Sequence, residues 1–179
     1  MKIFFDMDGT LSEFQKVGPD KWSAPGYART LKPLANVVEA VSLLPILAPS
    51  EVELYICSAV VALDYAVQDK MFWCKAKGVN IKEENMIFVP YGQPKKDYLK
   101  KFLKRRGKKI EKGDIFLDDY TKNLEELAEV KNLLPVKLLN GINDTNRSFK
   151  GARVSAFSSG ETIAKTLLGL SMAEKIQLN

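Results

Sequence analysis

Residues 2–10 of this chain read KIFFDMDGT, an apolar run followed directly by two carboxylates and a glycine. The run predicts a buried strand, and residues i and i+2 of an extended backbone project to the same side, so Asp6 and Asp8 can face one ligand. Crowded carboxylates are unfavourable without a cation between them, and all-oxygen surroundings suit Mg²⁺. Gly9 permits a sharp turn that brings backbone N–H groups near an anion. The stretch therefore predicts a cation and anion site where the first strand ends.

The same stretch also has an ordinary explanation as an acidic turn. Asp and Gly are common turn residues, and the Asp-x-Asp-Gly pattern occurs often by chance. On its own, the motif leaves a catalytic site and an acidic turn equally open. Its interpretation depends on the rest of the chain.

Composition limits the classes of protein to which the chain can belong. Its 179 residues, 46% apolar and 27% charged, predict one globular domain over residues 1–179. The longest apolar stretch, residues 37–48, is interrupted by polar residues and a proline, so no membrane partner is expected. The chain has no histidine, which excludes histidine triads and most zinc sites. Cys57 and Cys74 fit no metal or disulfide spacing and predict a reducing, cytoplasmic location.

The positive charge is concentrated in one segment, residues 95–109, which we call the basic block. It contains nine Lys or Arg and one acid, a net of +8 in a chain whose total is +5. Such a block can attract phosphates or nucleic acid, but a solvated helix face is the favoured interpretation. Only Tyr98 and Phe102 offer aromatic rings in the block, so nucleic acid is not an expected partner.

Short β-rich runs alternate with longer helical patterns along the chain. This alternation is typical of βαβ units and predicts a Rossmann-like α/β fold with a parallel five-stranded sheet flanked by helices. The expected strands are residues 2–5, 53–57, 86–89, 114–117 and 136–139. The expected helices are residues 34–44, 62–77, 95–105, 124–131 and 161–168. Residues 11–33 break the rhythm with Gly-Pro pairs and scattered aromatic residues, which predicts a small, reduced cover inserted after the first strand.

Polar residues follow four of the predicted strands. In chain order they are Asp6 and Asp8, Ser58, Lys95, and the pair Asp118 and Asp119. Ligands of open α/β sheets bind at the carboxyl ends of the strands, so we expect these residues to converge. Ser58 could instead be a plain helix cap, and Lys95, or its neighbour Lys96, the first charge of a basic face. The acidic pair could cap the following helix. The order of all four at strand ends favours a common site.

These segments resemble the four motifs of the haloacid dehalogenase-like (HAD) phosphohydrolase superfamily. The match consists of residues 6–10, Ser58, Lys95 and the pair Asp118 and Asp119, and it extends over the sheet from residue 2 to about residue 139. Within the superfamily, the chain is similar to the 5′(3′)-deoxyribonucleotidase branch, also called 5′-nucleotidase type C. Residues 25–31, 56–59, 70–73 and 117–120 carry that finer similarity.

The resemblance implies a mechanism and a set of roles. Asp6 would attack phosphorus and form an aspartyl-phosphate, while Asp8 would protonate the leaving oxygen and then activate water. Mg²⁺ would be held by Asp6, the backbone carbonyl of Asp8, and the pair Asp118 and Asp119, with either acid of the pair as the direct ligand. The residues expected at the phosphate are Gly9, Thr10, Ser58 and Lys95.

The favoured prediction is a Mg-dependent phosphomonoester hydrolase, a 5′-nucleotidase acting on (deoxy)nucleoside monophosphates. In the cover, Trp22, Tyr27 and Arg29 are candidates to contact a base or sugar, or they only pack the loop. The alternatives are another HAD phosphatase, acting on a sugar phosphate or a polynucleotide end, and a non-enzymatic phosphate-binding protein on the same fold. The sequence leaves the oligomeric state open.

Overall fold

A computed structural model describes residues 1–61, 63–143 and 149–176 of the chain. The described strands are β1 Lys2–Phe5, β2 Glu53–Val60, β3 Met86–Pro90, β4 Asp114–Asp118, β5 Leu133–Leu139 and β6 Ala152–Ser155. The helices are α1 Pro19–Trp22, α2 Tyr27–Thr30, α3 Ala35–Leu47, α4 Asp64–Ala76, α5 Lys95–Arg105, α6 Thr121–Leu127 and α7 Gly160–Ile176, with a 3₁₀ turn at Glu83–Asn85.

The strands form one parallel sheet in the order β3-β2-β1-β4-β5-β6. This confirms the predicted Rossmann-like α/β class. The sheet is buried on both faces, as parallel sheets usually are. In β1, Ile3 and Phe5 belong to the core beneath α3, α4 and α7, whereas Phe4 belongs to the core beneath α5 and α6. The alternation follows from the two-residue period of a strand.

The prediction of five strands is wrong, because β6 adds a sixth at the edge. It is short, it pairs only with β5 in the described residues, and Val154 is its one buried side chain, so it has little sequence signal. The fifth strand also begins earlier than predicted, at Leu133. Pro135 is tolerated there because β6 pairs with β5 only from Val136 onward, which leaves one side of Pro135 without a neighbouring strand.

Helices α6 and α7 have bounds that differ from the predicted ones. Helix α6 begins at Thr121, directly after the acidic pair, and not at residue 124. Helix α7 continues past residue 168 because Ser171 extends its buried face at helical spacing. The predicted start of α4 at residue 62 lies outside the described residues. None of the helices in the described ranges is both long and apolar enough to span a bilayer.

Residues 11–33 contain only the one-turn helices α1 and α2 and are tied to α4. The buried carboxylate of Asp69 accepts hydrogen bonds from the Gly26 amide at 2.6 Å and from Arg29 Nε at 2.5 Å. Trp73 Nε1 donates to the Leu31 carbonyl at 2.8 Å. The segment is therefore held in place by polar contacts with one face of α4.

Candidate active site

The predicted site residues lie at the point where the strand order reverses. From β1 the chain moves to β2 and β3 on one side, and β4 then pairs with β1 on the other side. The Asp6 amide donates to the Leu117 carbonyl at 2.9 Å, so the ends of β1 and β4 lie side by side. Crevices at such switch points are where open α/β sheets bind ligands.

Three carboxylates meet at this point. Asp6, Asp118 and Asp119 each offer one oxygen, and these oxygens lie within 4.8 Å of one another. Burial, together with the charges of Asp118 and Asp6, raises the pKa of Asp119 to about 8. Burial also raises the pKa of Asp118, and Asp6 adds to this effect while Lys95 opposes it. Clustered oxygen ligands that repel one another fit a hard divalent cation such as Mg²⁺.

Lys95, the first residue of α5, lies against this cluster. Its Nζ is 2.7 Å from Asp6 Oδ1 and 2.7 Å from Asp118 Oδ2, and the residue is only 3% exposed. Burial alone would lower the pKa of Lys95, but the adjacent carboxylates of Asp118 and Asp6 outweigh it and raise the pKa above its ordinary value. Lys96 points away and pairs with Glu129 at 2.7 Å. The structure therefore places Lys95, not Lys96, at the site.

Two asparagines that the sequence analysis did not single out hold Asp119. Asn140 Nδ2 donates to the Gly9 carbonyl at 2.8 Å and to Asp119 Oδ2 at 3.0 Å, and Asn143 Nδ2 donates to the Asp119 carbonyl at 2.6 Å. Both follow β5. A polar residue directly after a strand was the signal used for the other site residues, and it would also have found Asn140.

Gly9 is in contact with Asp119 and does not face the cavity described below. Its φ of +84° lies in the left-handed region, and a Cβ at this position would lie 2.4 Å from Asp119 Oδ2. The amides of Gly9 and Thr10 donate within the loop, to the Ser12 and Met7 carbonyls. Among the described residues, the buried Thr10 hydroxyl has no hydrogen-bond partner. The Gly9 and Thr10 amides thus already have partners within the loop, and a role for these two residues at the phosphate stays a prediction.

Lys70 of α4 joins the two remaining predicted residues. Its Nζ contacts Asp8 Oδ2 and lies 2.8 Å from Ser58 Oγ. Ser58 is fully buried inside β2, which continues to Val60, and α4 begins only at Asp64. Ser58 therefore does not cap that helix. The sequence analysis gave Lys70 no role in the site. The signal that could have found it is a charged residue on the buried face of helix α4.

A cavity of about 700 Å³ opens between the strand ends and residues 11–33. Asp6, Asp8, Lys70, Lys95 and Asp119 line its floor, and both Trp22 and Tyr27 line the cover side. The Trp22 ring lies 5.1 Å from the ring of Tyr91, also at the cavity. Burial and the charge of Asp8 raise the pKa of Tyr27. Arg29 is not among the residues that line the cavity in the described part of the chain; it pairs with Asp69 and lies over the Phe72 ring.

Several charges of the basic block have partners on the body of the protein. Lys95 is in the site and Lys96 pairs with Glu129. Lys108 contacts Glu53, and Arg106 donates to Asn85 Oδ1 at 3.1 Å. These contacts agree with a helix face that is solvated and locally paired.

Comparisons with known proteins establish the fold. No protein-family model matches the sequence. No curated protein matches it either. Among solved structures, the chain is similar to a HAD-superfamily hydrolase from Ehrlichia chaffeensis, with a TM-score of 0.58 and 13% identity over 94% of this chain and 96% of that one. A second structure, DsGPDH of Dunaliella salina, aligns at a TM-score of 0.48 with 16% identity, over 76% of this chain and 23% of that one. The chain therefore shares the fold of a HAD-superfamily hydrolase.

Proposed function

We propose that this protein is a HAD-type hydrolase of phosphomonoesters that uses Mg²⁺ and an aspartyl-phosphate intermediate. One observation carries the proposal: Asp6, Asp118 and Asp119 form a carboxylate cluster at the switch point of the sheet, and buried Lys95 pairs with two of them beside a large cavity. This arrangement offers a nucleophile, a cation site and a fixed positive charge in one place. The similarity to a HAD-superfamily hydrolase supports the same conclusion.

Asp6 is the proposed nucleophile. A bond forms between an Asp6 carboxylate oxygen and phosphorus while the bond from phosphorus to the leaving oxygen breaks, and Asp8 gives a proton to that oxygen. Water then attacks phosphorus and gives a proton to Asp8, and the bond to Asp6 breaks to release phosphate. Asp8 and Asp6 both line the cavity, which supports this pair of roles. Lys95 offsets negative charge on the transferring phosphoryl group. Ser58 supports the phosphate site from its buried position in β2.

The carboxylates of Asp6, Asp118 and Asp119 would hold Mg²⁺, and the backbone carbonyl of Asp8 completes the proposed set. The bound ion would supply positive charge that reduces repulsion between an anionic nucleophile and an anionic phosphate. Asn140 and Asn143 orient Asp119 from behind, as residues that support metal ligands do.

A nucleoside 5′-monophosphate is the proposed substrate. The cavity of about 700 Å³ is within the usual range for small-molecule sites. Trp22, Tyr27 and Tyr91 line it and offer aromatic surface to a base or sugar. We propose the cytoplasm as the location, because Cys57 and Cys74 are free thiols, which suits a reducing compartment.

A panel of phosphomonoesters, measured with Mg²⁺ and with EDTA, tests the proposal. We expect hydrolysis that requires the metal and prefers nucleoside monophosphates to sugar phosphates. Asp6→Asn should be inactive but still folded, as a melting curve verifies, and the exposed Asp97→Asn should behave as wild type. Full activity in EDTA would refute the metal assignment, and wild-type rates in Asp6→Asn would refute the covalent step. A preference for sugar phosphates would redirect the substrate assignment.

A further inference from the structure

Lys70 is a charged residue at a core-facing position of a helix. The buried residues of α4 are Ala66, Asp69, Lys70, Trp73 and Cys74. Residues 66, 70, 73 and 74 recur at the spacing of the apolar face of an amphipathic helix. A methionine or leucine would fill position 70 without the desolvation penalty that a buried ammonium carries. Packing alone therefore does not account for a lysine at this position.

The contacts of Lys70 direct it toward the cavity. An ammonium group has three N–H donors and no acceptor. Within the described ranges, one donor goes to Asp8 and one to Ser58 Oγ at 2.8 Å. Lys70 lines the cavity, whereas Ser58 is fully buried and lies outside the cavity lining that the described residues form. Ser58 therefore supports Lys70 from the buried side, and of the two residues Lys70 is the one that lines the cavity.

Lys70 and Lys95 approach the cavity floor from different helices and fix different carboxylates. Lys95 pairs with Asp6 and Asp118, and Lys70 pairs with Asp8. A compact ammonium held on two sides is a preorganised ligand for an anionic oxygen, because little side-chain entropy remains to be lost on binding.

We propose that Lys70 is a second phosphoryl-binding lysine of this site, and that Ser58 acts on the phosphate through Lys70. The inference rests on the proposed function in that both place a phosphoryl group at the cavity floor. The inference goes beyond the proposed function because it names Lys70 as the residue that contacts the phosphoryl group on the side of Asp8.

The experiment measures binding of inorganic phosphate to the Mg²⁺-loaded protein by titration calorimetry, which requires no turnover. Lys70→Met should weaken phosphate binding about ten- to hundredfold, the effect of one hydrogen bond to a charged group. Lys70→Arg should recover part of the loss. Lys75→Met, an exposed lysine on the same helix, is the matched control and should bind phosphate as wild type does. Melting curves verify that each variant is folded.

A double-mutant cycle tests whether Ser58 acts on the phosphate through Lys70. As a single substitution, Ser58→Ala should weaken phosphate binding. In the Lys70→Met background it should cause no further loss of phosphate affinity, because its effect passes through Lys70. Additive losses of phosphate affinity in the double variant would show that Ser58 does not act through Lys70. Wild-type phosphate affinity in folded Lys70→Met, or no phosphate binding by the wild type, would overturn the inference. Phosphate binding that depends on Lys70 without hydrolysis of any monoester would uphold it and refute the proposed function.

Discussion

Replacing Gly9 by alanine tests the close packing of the loop against Asp119. Gly9 has a φ of +84°, and an added Cβ would lie 2.4 Å from Asp119 Oδ2 and 2.6 Å from its Cγ. Ordinary contact begins at 3.4 Å, so the carboxyl group must move by about 1 Å. In metal sites the ligand distances lie within about 0.2 Å of their standard values, so a shift of this size would disturb the site. Asn140 and Asn143 hold Asp119 and restrict where it can go.

The matched control is Gly78→Ala. Gly78 has a similar φ of +72°, but nothing lies within 4 Å of its added Cβ. Both variants should lose stability, since a left-handed backbone costs an L-residue roughly 1–2 kcal/mol. That loss corresponds to a melting temperature lower by about 2–8 °C in a domain of this size.

Only Gly9→Ala should also lose metal affinity. Displacing a ligand or its support typically weakens metal binding about 10–100-fold. Titration calorimetry with Mg²⁺ on both variants measures the difference directly. If Gly9→Ala binds Mg²⁺ as tightly as Gly78→Ala does, the close contact between Gly9 and Asp119 does not position a metal ligand, and this reasoning is refuted.

The remaining predictions concern proton transfer, the choice of lysine and the thiols. Asp8→Asn should lower kcat on a nucleoside monophosphate by about 10²–10⁴-fold with an unchanged melting temperature, as expected for a lost general acid; an unchanged kcat would contradict that role. Lys95→Met should lose turnover whereas Lys96→Met should keep it, because only Lys95 contacts the carboxylates; the reverse pattern would move the site by one residue. Burial raises the pKa of Cys57 and Cys74 to about 12, so at pH 8 both thiols stay protonated. A disulfide reagent should therefore modify them only after denaturation, and fast reaction of the folded protein would show that one of them opens to solvent.

Local sequence patterns were enough to predict the class of fold and the acidic part of the candidate site. An apolar run places its last residue at a sheet edge, and the two-residue period of a strand decides which side chains share a face. Asp6, Lys95 and Asp118 could therefore be assigned to one edge before any contact was known, and the structure brings both carboxylates within hydrogen-bonding range of Lys95 Nζ.

Contacts between distant parts of the chain decided the rest. Lys70 meets Asp8 across 62 positions, and Asn140 meets Gly9 across 131. No periodicity within a segment encodes such pairs, because they arise only when α4 and the loop after β5 pack over the end of β1. For the same reason the sequence could not separate Trp22 and Tyr27, which line the cavity, from Arg29, which Asp69 holds away from it. Residue types and strand ends are local properties, whereas the partner of a buried charge is decided by tertiary packing.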